Sequence, residues 1–262
     1  MAGEHLRGIG VAVTRAPGEA GRLARLLRAR GAHVEHWPCI GFEDAEDIRA
    51  VQDAVSRFET FDWIAVTSAR AATRLAAVAD GVPCGNRLAA AGPATAASLA
   101  AVGWPVHRVA DVPGARGLVD EFARAGDAPG ARILFACGDR ALSTLSEGLE
   151  ALGAVVERLE VYRTRELTPE PGVLREAAES GAIRVVTFAS PSAVSGFLVA
   201  AEVDGLDAAE SFGAAALGST TADFLGSRGW TPVTAHESTM EGLVEAAGVA
   251  AVQMSGTGSR GR

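Results

Sequence analysis

Short apolar runs and longer amphipathic stretches alternate along most of the chain. Runs at residues 9–14, 64–67, 88–91 and 106–109 read as strands, and the stretches between them, apolar on one side only, read as helices. This alternation predicts an α/β fold with a parallel sheet covered by helices on both faces. The helix ends are marked. Ser68 and Ser190 stand at N-cap positions, Pro93 and Pro191 suit the first helical turn, and Gly31, Gly103, Gly153 and Gly229 follow as C-terminal stops.

The pattern is also written twice. Residues 11–34 (VAVTRAPGEAGRLARLLRARGAHV) match residues 133–156 (ILFACGDRALSTLSEGLEALGAVV), so that Gly31 falls on Gly153. At the same offset Ser68 falls on Ser190 and Ala71 on Ala193. After a short insertion, Gly92, Gly103 and Trp104 fall on Gly218, Gly229 and Trp230, and the tripeptide from Gly117 to Val119 matches that from Gly242 to Val244. Two similar lobes follow, with function expected in the cleft between them. Whether one lobe is finished before the other begins, or segments are exchanged, the repeat leaves open. The equivalent second strands, 33–40 and 155–164, are long enough to be paired crossovers. Residues 253–262 form a Gly/Ser/Arg segment without apolar periodicity and predict a disordered tail.

Composition narrows the chemistry. At 262 residues and 48% hydrophobic, the chain has no apolar run approaching the ~20 residues of a membrane helix, and its N-terminus lacks a signal-peptide pattern, so a soluble cytoplasmic protein is expected. The net charge of −8 opposes a nucleic-acid partner. All 24 basic residues are Arg, which removes Schiff-base chemistry and the Walker A loop, both of which need lysine. Cys39, Cys84 and Cys137 have no metal-site spacing and read as buried structural thiols. His5, His33, His36, His107 and His236 form no metal triad and read as structural or surface residues.

Ligands of open parallel sheets bind beyond the carboxyl ends of the strands. Here those ends read Thr14-Arg15, Thr67-Ser68-Ala69-Arg70, Gly92-Pro93-Ala94-Thr95, Ser190-Pro191-Ser192 and Gly218-Ser219-Thr220-Thr221. Hydroxyls and helix N-terminal amides in such loops suit carboxylates or phosphates; ordinary helix capping is the competing reading. Arg15 and Arg70 directly follow strand ends and are candidate anion contacts, whereas Arg22, Arg25 and Arg28 belong to a solvated helix face. Arg87, Arg116, Arg140, Arg163 and Arg165 are weaker candidates. Tyr162, the sole tyrosine, sits near the end of the second crossover strand, where it either packs or donates a proton.

Taken in order, VTR at the first strand, TSxxA after residue 66, GxxTA at Gly92, SPSAV at Ser190, GSTTA at Gly218 and the VYRT strand around Tyr162 resemble the uroporphyrinogen-III synthases over residues 9–248. The resemblance implies two flavodoxin-like lobes, one of residues 1–36 and 166–262, the other of residues 37–165, joined by two crossover strands that act as a hinge. It implies cofactor-free and metal-free cyclisation of hydroxymethylbilane with inversion of ring D and loss of water, in heme, siroheme or cobalamin biosynthesis. It implies Tyr162 as general acid, assisting rather than indispensable, and Arg15, Thr67, Ser68, Arg70, Gly92, Thr95, Gly138, Ser190, Ser192, Gly218, Thr220 and Thr221 as substrate contacts. A monomer is expected, with possible hand-over of substrate from hydroxymethylbilane synthase. Two departures stand out: Cys137-Gly138-Asp139-Arg140 replaces a common Arg-Gly pair, and Ser219 replaces the usual proline after Gly218.

Two other classes fit parts of the pattern. One is a non-catalytic synthase-like module that binds a tetrapyrrole or another anion; no DNA-binding or receiver segment accompanies it. The other is a two-lobed sugar- or phosphate-binding protein, which a chain only 5% aromatic and without a secretion signal serves poorly.

Overall fold

A computed structural model describes residues 6–79, 81, 83 and 85–257. Along the chain lie β1 (Gly10–Val13), α1 (Gly21–Ala29), β2 (His33–His36), β3 (Ile40–Asp44), α2 (Ile48–Ser56), β4 (Trp63–Val66), α3 (Ala69–Val78), β5 (Arg87–Ala90) and α4 (Pro93–Ala101). Then follow β6 (Arg108–Val109), α5 (Ala115–Ala125), β7 (Arg132–Gly138), α6 (Thr144–Ala151), β8 (Val155–Glu166) and α7 (Val173–Ser180). The last third holds β9 (Val185–Phe188), α8 (Pro191–Val203), α9 (Ala208–Ser211), β10 (Gly213–Ala216), α10 (Ser219–Gly226), β11 (Val233–Thr234) and α11 (Met240–Thr257). The chain has two compact units, residues 1–41 with 165–262 (unit 1) and residues 42–164 (unit 2). Both passages between them fall inside strands, β3 and β8, which are neighbours in one sheet.

In unit 1 the sheet order is β11-β10-β9-β1-β2, with parallel pairing throughout. Numbered within the unit this is the 2-1-3-4-5 order of flavodoxin-like sheets. The other sheet runs β3-β8-β7-β4-β5-β6, its pairs from β8 to β6 parallel. Substituting β7 and β8 for β1 and β2, and β4 to β6 for β9 to β11, converts one order into the other, apart from the extra edge strand β3. Each sheet therefore takes two strands from one copy of the written pattern and three from the other.

β1, β4 and β9 are buried at every position, as strands covered on both faces must be. In unit 2 the alternation is clean: Ile64, Val66, Leu134 and Ala136 meet α2, α3 and α4, while Trp63, Ala65, Ile133, Phe135 and Cys137 meet α5 and α6. Two of the repeated glycines serve close packing. A Cβ on Gly117 would strike the Val112 carbonyl, and one on Gly242 the equivalent Glu237 carbonyl, so α5 and α11 rest directly on the loops that precede them.

The expected continuous strand 33–40 is a correction. Trp37 and Cys39 still donate to Val13 and Thr14 (3.0 and 3.1 Å), but Pro38 has no N–H to give. The run breaks there into β2 in one sheet and β3 in the other. The expected tail is a second correction, because α11 continues through Thr257. Met254 lies against Gly213 of β10 and Ser255 accepts from Arg184 at 3.1 Å, so packing carries the helix past the point where apolar periodicity stops. Residues 258–262, with His5 and Cys84, lie outside the described residues. Among the described residues no helix is long and apolar enough to cross a membrane.

Candidate functional site

Parallel strands end on one edge of their sheet, and each passes the chain to a helix whose first N–H groups point back at that edge. The structure brings the residues proposed from the sequence to two such edges, one in each unit. Thr67, Ser68, Arg70, Gly92, Thr95, Gly138 and Tyr162 share the edge in unit 2; Arg15, Ser190, Ser192, Gly218, Thr220 and Thr221 share the edge in unit 1.

In unit 2, Ser68 caps α3, its Oγ accepting from the Ala71 amide at 3.0 Å. In unit 1, Ser190 caps α8 in the same way, from Ala193 at 3.3 Å. Capping and ligand binding are not exclusive here, since an accepting hydroxyl still has its own hydrogen to donate to a carboxylate. Gly92 and Gly218 open α4 and α10 in extended backbone without any side-chain cap. The first amides of those two helices therefore lack the acceptor that Ser68 and Ser190 supply elsewhere, and they are open to an anionic one.

The threonines divide. Thr220 is exposed, but Thr95 and Thr221 are only 5% and 4% exposed, one turn into α4 and α10. Their place on the inner face makes them packing residues first, a correction to their reading as open loop hydroxyls. Thr67 and Ser192 are half-buried. Thr14 is structural as well: its hydroxyl donates to Thr187 O at 2.8 Å and is buried.

Arg15 is partly buried and pinned by Glu19, to whose carbonyl and carboxylate it donates at 3.2 Å each. Burial draws its guanidinium below the usual arginine value, yet it remains a cation at the unit 1 edge. In unit 2, Arg70 lies flat on Phe42, with its guanidinium carbon 3.4 Å from the ring centroid and 5.8 Å from that of Tyr162. Phe42 meets Tyr162 edge-on, centroids 5.7 Å apart.

Gly138 has a packing role. It is buried beneath the Tyr162 ring, where a Cβ would fall 2.5 Å from Cζ, so its smallness serves the tyrosine before any ligand. Pairing between β7 and β8 slips at this point: Cys137 faces Glu160 but Gly138 faces Tyr162, a β-bulge that leaves Val161 as the extra residue. The Tyr162 carbonyl accepts from Asp139 N at 3.1 Å, and the Asp139 carboxylate accepts from Thr164 N at 2.9 Å, fixing the strand beyond the bulge.

Cys39 and Cys137 are buried, and desolvation pushes the Cys137 thiol up to about 11 and Cys39 higher still. Both are inert neutral thiols. Phe42 and the bulge were not anticipated from the sequence. A lone aromatic in an edge strand and a run from 155 to 166 without Gly or Pro give no local sign of either.

The family model for uroporphyrinogen-III synthase HemD matches residues 21–245. A uroporphyrinogen-III synthase from Synechococcus elongatus is 29% identical over 207 residues, covering 75% of this chain and 76% of that relative. Among solved structures, a mutant uroporphyrinogen III synthase from Thermus thermophilus aligns with a TM-score of 0.62 at 20% identity, covering 94% of this chain and 99% of that one. The uroporphyrinogen-III synthetase of Helicobacter pylori aligns at 0.62 and 16% identity, covering 91% and 98%. Both share its fold.

Proposed function

The chain belongs to the uroporphyrinogen-III synthase family, lyases of tetrapyrrole biosynthesis, and on that premise we propose that its two strand-end edges bind hydroxymethylbilane while Tyr162 drives off the terminal hydroxyl. Hydroxymethylbilane is a linear tetrapyrrole edged with carboxylates. Its ends must be brought together, and ring D inverted, before the chain closes without help to the other isomer. Holding the reacting ends together removes several kcal/mol of barrier, of order ~7 to 11 in the best oriented systems.

The binding groups suit such a substrate. The uncapped amides of α4 and α10, the cap hydroxyls of Ser68 and Ser190, exposed Thr220 and the cation of Arg15 are all donors to carboxylates. Closure begins when the C–O bond to the terminal hydroxyl breaks. Hydroxide is a poor leaving group, and transfer of the phenolic proton of Tyr162 lets it depart as water. The methylene cation left behind is then attacked by the substituted carbon of ring D, giving a spiro intermediate that rearranges to the inverted macrocycle, and the proton that ring D finally loses balances the one the phenol gave up.

The observation that carries this reading is the seating of Tyr162, the sole tyrosine, at the carboxyl edge of the unit 2 sheet near Arg70 in the first turn of α3. The test is an isomer-resolved chromatographic assay of purified protein with hydroxymethylbilane. Formation of uroporphyrinogen III, with turnover lowered in Tyr162→Phe at unchanged circular dichroism, is the expected result; type I product alone refutes the reaction, and full turnover by Tyr162→Phe refutes the role of the phenol.

A further inference from the structure

The bulge in β8 decides on which face of the sheet the phenol lies. Side chains of a regular strand alternate between faces. On β8, Val156 packs with the α5–α6 core, and Leu159 and Val161 pack with the core under α2, α3 and α4. Continued alternation puts Tyr162 on the α5–α6 face. Instead Tyr162 packs against the same cluster as Val161, its immediate neighbour. The extra residue between Glu160 and Tyr162 in the pairing with Cys137 and Gly138 reverses the side-chain parity. The phenol thereby shares a face with Ser68 and Arg70 at the start of α3.

Three contacts hold it there. Gly138 leaves the space the ring fills, Phe42 on β3 abuts the ring at 81°, and the Arg70 guanidinium lies over Phe42 with its carbon 5.8 Å from the Tyr162 centroid. Any side chain at residue 138 pushes on the ring, since the nearest atoms to a new Cβ are Cζ, Cε2 and Oη of Tyr162 itself. Removing the Phe42 ring takes away the aromatic contact at 5.7 Å. Neither residue has polar side-chain chemistry of its own.

We propose that the bulge, Gly138 and Phe42 form a seat that aims the Tyr162 hydroxyl, making Gly138 and Phe42 positioning residues for proton delivery. The proposal rests on the reading of Tyr162 as proton donor. Gly138→Ala and Phe42→Leu are to be made singly and in combination with Tyr162→Phe. Each single variant is expected to lose about ten- to a hundredfold in kcat, the scale of a misplacement near 1 Å, with KM little changed. In the Tyr162→Phe background the same changes are expected to cost almost nothing further, because there is no hydroxyl left to aim. Fluorotyrosine labelling supplies a second readout: a chain with one tyrosine gives one fluorine resonance, expected to shift in both single variants.

Equal losses in the two backgrounds, or a fall in kcat with an unmoved fluorine line, overturn the proposal while leaving the proton-donor reading intact. Full turnover in Tyr162→Phe alone removes that reading and the seat's purpose with it. Should Gly138→Ala fail to fold, Phe42→Leu carries both measurements.

Discussion

Asp204, at the end of α8, is 3% exposed and caps a different helix: its carboxylate accepts from Gly172 N (2.6 Å), Leu174 N (3.0 Å) and Arg175 N (3.1 Å) at the start of α7, whose own N-cap is a glycine. Its carbonyl meanwhile accepts from the Arg175 guanidinium. Burial opposes the carboxylate charge, but the Gly172, Arg175 and Leu174 amides and the Arg175 cation outweigh it and hold the group below its ordinary value. Asp204→Ala strips three amides of a charged acceptor. Each such bond is worth about 1.5–3 kcal/mol alone, and a cap about 0.5–2, so with allowance for non-additivity the variant is expected to lose about 3–4 kcal/mol.

At roughly 3 °C per kcal/mol this lowers the melting temperature by about 10 °C. Because the folded value is depressed, the contribution is complete above the unfolded value near ~3.9 and is lost as pH falls through the lower folded one. Urea titrations of the two proteins should therefore lie furthest apart at pH 6–7 and draw together towards pH 3. Hydrogen exchange should show the Gly172, Leu174 and Arg175 amides deprotected while unit 2 is unchanged. A difference below about 0.5 kcal/mol at neutral pH, or one constant down to pH 3, refutes the analysis.

Gly117→Ala and Gly242→Ala should each destabilise by about 1–3 kcal/mol by driving a methyl group into a loop carbonyl, read by chemical denaturation; a loss below half a kcal/mol in both would count against the close packing. Thr220→Ala should raise KM for hydroxymethylbilane with little change in kcat, whereas Thr221→Ala, at a buried position, should show chiefly as lost stability; the reverse pattern would relocate the contact. Peptide mapping after maleimide treatment at pH 8 should leave Cys39 and Cys137 unmodified in native protein and modify both after unfolding, and native labelling of either would contradict their burial.

The periodicity, caps and repeat foretold the parallel sheets and most of the elements, because those depend on neighbours within a turn or a strand. Ser68 and Ser190 cap as read, and Gly31, Gly103, Gly153 and Gly229 all take positive φ past their helices. What local pattern missed lies in tertiary pairing. Pro38 was visible as a missing donor, but its effect, dividing one run between two sheets, depends on which partner each half finds. The bulge at Val161 arises from register with β7 and has no marker in β8. Likewise a threonine's name gives its hydroxyl but not its face, and Thr95 and Thr221 turned inward.

The exchange of strands between the two copies has a consequence for biosynthesis. Unit 2 closes on residues 42–164, so on the ribosome its sheet has every strand before the last third of the chain exists. β1 must wait for β9: the Thr14–Thr187 bond joins partners 173 residues apart, against 70 for Asp62 with Arg132 in unit 2. By loop-closure entropy the longer span costs only about 0.8 kcal/mol more, so the finished protein hardly registers it. The delay is kinetic. Throughout elongation β1 and α1 wait with an apolar side uncovered, and that nascent N-terminal segment is where a chaperone has most to do.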